Sequence, residues 1–285
     1  MGATERKRIV GLALRVAVFT FLALVGMVVF VTILFNIGGY LVGATLGTFA
    51  SAAVANAIAL RIWEQGRLSH IGLAWTPGSG RNIGLGLAGG VAAALLVVGG
   101  PLLTGAAELK PLAENPFNFG SLVFVSVVLL FGAAGEELLF RGYGFQVLVA
   151  VLGPYATVLP VAVLFGLAHA NNQNATALGL FNTILWGVIF GYAFLRSRDL
   201  WLPIGLHFGW NWTLPLFGTN LSGFTMGITG CEMQWNAGEL WSGGNYGPEG
   251  GLLTTAVLIP LFVFLYKAPI RPQTSLLLQS LEESS

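Results

Sequence analysis

The sequence predicts an all-α, polytopic membrane helix bundle with about eight transmembrane helices, and two observations predict it. Of 285 residues, 55% are hydrophobic and only 9% are charged, against roughly 25% charged in a soluble domain. The apolar residues also fall in long runs with few charges, the signature of membrane spans. The net charge of +1 offers no basic stripe for nucleic acid, so a nucleic-acid partner is excluded. The single cysteine, Cys231, permits no internal disulfide.

The elements follow in order. An apolar run over 9–35 is too long for the h-region of a secretory signal, about 7–15 residues, and reads as a retained first helix in which Arg15 can snorkel. Further runs at 39–60, 82–104, 121–149, 155–169, 176–195, 201–217 and 251–267 supply the rest. The run at 121–149 is long enough to tilt or bend, and that at 155–169 is short enough to end below the membrane surface. Gly86 and Gly90 form a small-xxx-small face for close helix packing. Residues 61–81 read as a connector with Trp75 at the interface, and 218–250 as a long Gly- and Trp-rich loop. The whole chain, 1–285, reads as one integral membrane domain: N-terminal spans over 9–104, a core at about 120–215, then the C-terminal loop and last span over 218–267.

Charge orients the bundle. With the N-terminus inside, Arg6, Lys7, Arg8, Arg61, Arg67, Arg81, Arg196, Arg198, Lys267 and Arg271 all fall in or beside inner segments. Arg15 and Arg141 lie within spans and Lys110 is left outside, together with Glu108, Glu114, Glu232, Glu239 and Glu249. Both termini are then cytoplasmic in a multi-pass protein of the plasma (cell inner) membrane, with the bilayer as its immediate partner.

An ionisable group at membrane depth costs about 2.5–3.5 kcal/mol on insertion scales, so the few present here carry information. They are Glu136, Glu137 and Arg141 in the fourth run, His169 ending the fifth, and His207 with Asn211 in the seventh. Glu137 and Arg141, four apart, share a helix face and can pair. Glu136 is rotated about 100° from Glu137 and has no partner in its own helix, which suits a general base or acid in a low-dielectric site. His207 and Asn211, also four apart, point the same way and can both donate hydrogen bonds. No Gly-x-Ser-x-Gly elbow and no His-Glu-x-x-His occurs, so serine-triad and ordinary zincin chemistry have no support.

The ordered pattern Glu-Glu-x-x-x-Arg (Glu136, Glu137, Arg141), Phe-x-x-x-His (Phe165, His169) and His-x-x-x-Asn (His207, Asn211) resembles the CPBP family, the CaaX-prenyl-protease and bacteriocin-processing or Abi proteins, which are intramembrane proteases. The resemblance covers about 120–215. It implies an intramembrane endopeptidase acting on a membrane-embedded, lipidated or prenylated (CaaX-type) protein or peptide, with a site between the fourth, fifth and seventh spans. Glu136 would activate water, assisted by His169; His207 and Asn211 would stabilise the oxyanion; Glu137 and Arg141 would support and orient. Two mechanisms stay open. A metal-free glutamate protease, needing no cofactor, is favoured because Asn211 is a poor zinc ligand and a good donor. The alternative is Zn2+ held by Glu136, His169 and His207. A non-enzymatic self-immunity factor or lipid or peptide binder could use the same polar cavity, whereas a transporter lacks an inverted-repeat signal.

Overall fold

The computed structural model describes residues 2–112 and 116–283; Glu114, assigned above to an outer connector, lies outside the described residues. Helix α1 (Ala3–Gly26) passes through a π-helical turn, Met27–Val31, into α2 (Thr32–Trp63). The chain reverses at Gly39, whose φ of +78° is a left-handed conformation open to glycine without a Cβ penalty, so the predicted spans at 9–35 and 39–60 pack side by side, with Gly43 against Phe35, Gly47 against Val31 and Gly26 against Ser51. Then come α3 (Ser79–Thr104), β1 (Ala107–Pro111), α4 (Phe119–Arg141), α5 (Tyr143–Leu152), α6 (Pro154–Ala168), α7 (Ala177–Ser197), α8 (Trp201–Leu216), β2 (Cys231–Trp235), the single turn α9 (Glu239–Ser242), α10 (Leu252–Lys267) and α11 (Leu276–Glu283). Strands β1 and β2 pair antiparallel, Ala107 opposite Trp235, and are a minor addition to an all-helical, polytopic bundle.

Four helical stretches among the described residues are long and apolar enough to cross a membrane: Glu5–Trp63, Ser79–Thr104, Phe119–Leu152 and Ala177–Ser197. Helices α6 and α10 are shorter and apolar. Local chemistry sets several of the boundaries. Asn118 caps α4 by accepting from the Ser121 N–H (2.9 Å), and Thr176 caps α7 by accepting from that of Gly179 (3.0 Å). Pro154 opens α6, where its missing N–H costs nothing.

Helices α3 and α8 meet along glycines. A Cβ on Gly86 would lie 2.8 Å from the Leu206 nitrogen and one on Gly90 2.8 Å from that of Trp210. On the facing side, Gly205 and Gly209 would meet the nitrogens of Leu87 and Val91 at 3.1 and 3.0 Å. Backbone thus packs on backbone in both directions, and Gly205 and Gly209 complete the face that Gly86 and Gly90 begin.

The connectors gather in two groups. In one, β1 lies on β2, Leu112 N donates to Gly230 O (2.8 Å), Tyr40 stacks on Phe224 (centroids 5.0 Å apart), and Gly223 sits against Gln173. In the other, Leu200 N donates to Gly72 O (3.0 Å) and Gln273 N to Ser197 O (2.7 Å), while Asn82 donates to Asp199 (2.7 Å) and to Arg271 O (2.8 Å). Burial pushes the Asp199 carboxyl up, opposed by hydrogen bonds from Asn82 and the Leu202 N–H. Arg15 does not simply reach for the surface: it pairs with Glu64 at 2.7 Å, and Tyr143 donates to the same carboxylate oxygen (3.3 Å).

Candidate active site

The polar centre starts from a break in the fourth span. Helix α4 ends at Arg141, and α5 resumes after Gly142, whose ψ of −143° leaves the helical region. A break at membrane depth frees backbone groups that lipid cannot satisfy, and two buried amides take them. Asn56 of α2 donates to Leu138 O (2.9 Å) and accepts from Tyr143 N (2.7 Å). Gln146 donates to Arg141 O (3.0 Å) and to Ile71 O (3.0 Å). Both side chains are fully buried.

Just above the break sit the charges. Glu137 and Arg141 are 0% exposed, with Arg141 Nη1 3.4 Å from Glu137 Oε1. That contact is long for a hydrogen bond, and Arg141 finds stronger support elsewhere. Its Nη2 donates to Gly187 O (2.9 Å), and its guanidinium lies over the rings of Phe165 (4.8 Å) and Phe190 (5.3 Å). Glu137 Oε1 in turn accepts from His207 Nδ1 at 2.9 Å. His169 Nδ1 lies 2.8 Å from Phe165 O.

These partners assign the imidazole protons. A carboxylate and a carbonyl can only accept, so in each neutral ring Nδ1 carries the proton and Nε2 presents a lone pair. Both lone pairs face Glu136: His169 Nε2 is 3.7 Å and His207 Nε2 3.8 Å from Glu136 Oε2. That oxygen is buried and has no hydrogen-bond partner in the protein, although the Glu136 side chain as a whole is 28% exposed and that of His169 17%. Three acceptors converge here, and what complements them is a donor such as water, or a cation.

The structure thus joins five of the six predicted site residues. Asn211, one turn beyond His207 on α8, is half-buried, and none of the bonds that join the others includes it. Sequence reasoning missed α7, which supplies Gly187 O and Phe190. The Phe190 ring stacks on that of His207 at 4.6 Å and 19°. It missed the Glu137–His207 bond as well. A buried apolar helix carries no polar signal that would have marked Gly187 or Phe190.

The donor chemistry suits zinc, since each imidazole nitrogen facing Glu136 is backed by an acceptor on the other ring nitrogen. Even so, among the described residues no group of three or more His, Cys, Asp and Glu is arranged to hold a metal ion.

The centre of this helical bundle is thus a carboxylate facing two imidazoles. Residues 118–213, from the α4 cap to most of α8, match the family model of the type II CAAX prenyl endopeptidases, Rce1-like. Over these residues the chain is similar to that family, in agreement with the CPBP resemblance, and the family indicates a protease. No curated protein matches the chain.

Proposed function

We propose that the chain is an intramembrane endopeptidase that hydrolyses a peptide bond of a membrane-associated or prenylated (CaaX-type) protein with water activated by Glu136. The observation that carries this reading is the convergence of Glu136 Oε2 with two imidazole Nε2 atoms at 3.7 and 3.8 Å. A water between them donates one hydrogen to Glu136 and the other to one of the two imidazole Nε2 atoms. Glu136 takes its proton as the oxygen attacks the scissile carbonyl, and the proton then passes to the departing amine, with His169 as the second carrier. Negative charge develops on the carbonyl oxygen. Donors for it come from α8, where Asn211 offers its amide and His207 a proton at Nε2 once it becomes imidazolium. Glu137 favours that imidazolium through its bond to Nδ1, while Arg141 offsets the charge on Glu137.

If zinc is bound, Glu136, His169 and His207 are the residues that hold it, and it would supply a water of lowered pKa. The metal-free version is preferred, since Asn211 serves as a donor and not as a ligand. In the same reading the bundle crosses the plasma membrane about eight times with both termini in the cytoplasm. Arg15, early in α1, pairs with Glu64, and Ser275 of the C-terminal segment donates to His70 O, so both ends of the chain lie with the 64–72 connector, which supports an even count, and the basic residues mark that end as inner.

Purified protein with a fluorogenic peptide in detergent or nanodiscs tests the mechanism. Cleavage is expected to survive chelation and to need no stoichiometric zinc. Chelator-sensitive cleavage with one zinc per chain removes the metal-free version. Full biological effect from Glu136→Gln protein removes the enzyme reading and leaves a binding or self-immunity role for the cavity.

A further inference from the structure

Outside the catalytic cluster, two carboxylates are buried among the described residues, Asp199 and Glu249. Asp199 accepts from Leu202 N (3.1 Å) in the first turn of α8 and so serves as a helix cap. Glu249 does something else. It sits in the 3₁₀ turn Pro248–Gly250 that leads into α10, beyond residues 118–213, the stretch that matches the family model. Taking a carboxylate out of water is costly, and hydrogen bonds must offset the cost. Glu249 Oε1 accepts from Trp210 Nε1 of α8 (2.9 Å), while Oε2 accepts from Ser222 N (2.6 Å) and Ser222 Oγ (2.9 Å). Each oxygen serves a different element, which an amide with its single acceptor oxygen could not do. Ser222 has φ +50°, a left-handed conformation uncommon for a residue with a Cβ, so its bonds to Glu249 hold a strained turn in place.

The backbone of the same turn is fixed to α7. Asn182, fully buried, donates to Glu249 O (2.8 Å) and Gly251 O (3.0 Å) and accepts from Thr255 Oγ1 (2.6 Å). Glu249 therefore joins α8 through its side chain to α7 through its carbonyl, and these two helices meet at His207. A run of packed rings leads from that joint to the site. Trp210 packs on Trp186 (centroids 4.7 Å apart), Trp186 stacks on Phe190 (5.2 Å, 26°) and Phe190 stacks on His207 (4.6 Å, 19°). All four side chains are buried. Close-packed rings leave little free volume, so a displacement at one is felt at the next. Trp210 and His207, three apart on α8, also share a helix face, and Asn211 directly follows Trp210.

We propose that Glu249 is a positioning residue for His207. By holding Trp210 against Trp186 it sets the plane of the His207 ring on Phe190, and with it the direction of the Nδ1–H bond to Glu137 and of Nε2 toward Glu136. The effect on rate rests on the peptidase reading, whereas the placement of the ring is readable without catalysis.

The test uses nuclear magnetic resonance of the full-length protein in nanodiscs, with its 3 histidines labelled by nitrogen-15 and assigned by single substitutions. Glu249→Gln keeps one acceptor oxygen, and Trp210→Phe keeps a ring without the N–H, so each cuts the link at one end. Both are expected to move the His207 Nδ1–H resonance while that of His70 stays in place, and to lower kcat by about 10–10²-fold with KM unchanged. Asn220→Ala removes a bond to Asn245 O (2.9 Å) in the same loop and should leave the His207 resonance and kcat at wild-type values. If either Glu249→Gln or Trp210→Phe loses thermal stability yet keeps the His207 resonance, Glu249 is a structural tie alone and the proposal is overturned. It is overturned too if Asn220→Ala moves the resonance as far as Glu249→Gln does, since loosening the loop then suffices. Wild-type protein that cleaves no peptide removes the peptidase reading, and the resonance still decides whether Glu249 places the ring.

Discussion

Helix α8 presents two opposite faces to the rest of the molecule, and they are held by different physics. One face, Gly205 and Gly209, lies backbone to backbone against Gly86 and Gly90 of α3, close enough that added Cβ atoms would collide. The other carries His207, bonded to Glu137 and stacked on Phe190. The glycine face gains dispersion contacts and fixes the distance between helices, which lipid cannot do because hydrophobic burial drives little association inside a bilayer. The polar face gains little net stability from its charges, because burying ions costs most of what pairing returns. The lesson is a division of labour within one helix. Close packing on one side sets the position in which the other side can hold reactive groups.

Substitutions can break either face. The largest expected effect is on chemistry at the polar centre. Glu136→Gln removes the base while keeping shape, and peptide cleavage should fall by about 10²–10⁴-fold with the thermal midpoint preserved. Asn211→Ala should lower kcat by about 10²–10³-fold with little change in KM, as expected for a donor used mainly in the transition state. An Asn211→Ala protein with wild-type kcat would remove that residue from the mechanism.

The glycine face answers differently. Gly90→Val forces α3 and α8 apart against the Leu206 carbonyl, and a loss of about 1–3 kcal/mol or more in stability is expected, as for overpacked cores. Activity should then fall in step with the folded fraction measured by thermal denaturation in detergent. If Gly90→Val lowered kcat without lowering stability, the two faces would be coupled more directly than the structure implies. The smallest effect is at Trp212, whose indole N–H donates to Ser126 of α4 at 2.8 Å. Trp212→Phe should cost about 0.5–1.5 kcal/mol, the worth of one hydrogen bond, and leave KM unchanged.

The sequence could disclose what depends on spacing along one helix. The four-residue offset of Glu137 and Arg141, the rotation of Glu136 away from them, the bend in the fourth span and the shortness of the fifth were all legible. So was half of the glycine face, Gly86 and Gly90. What stayed hidden depends on which helices become neighbours. Arg141 was expected to lean on Glu137, yet its shorter bond is to Gly187 O of α7. A backbone carbonyl carries no residue identity to read. Likewise Asn56 gave no sign in sequence that it would satisfy two backbone groups 82 and 87 positions away.

That last arrangement matters beyond the chemistry proposed for the site. Wherever a helix breaks in a bilayer, water tends to follow the unpaired backbone, and a file of water conducts protons. Here Asn56 and Gln146 bind the loose carbonyls and the loose N–H directly, beneath a carboxylate and two imidazoles that relay protons readily. With those groups bound by side chains, a polar centre can sit inside the bundle without a file of water running through the break beneath it.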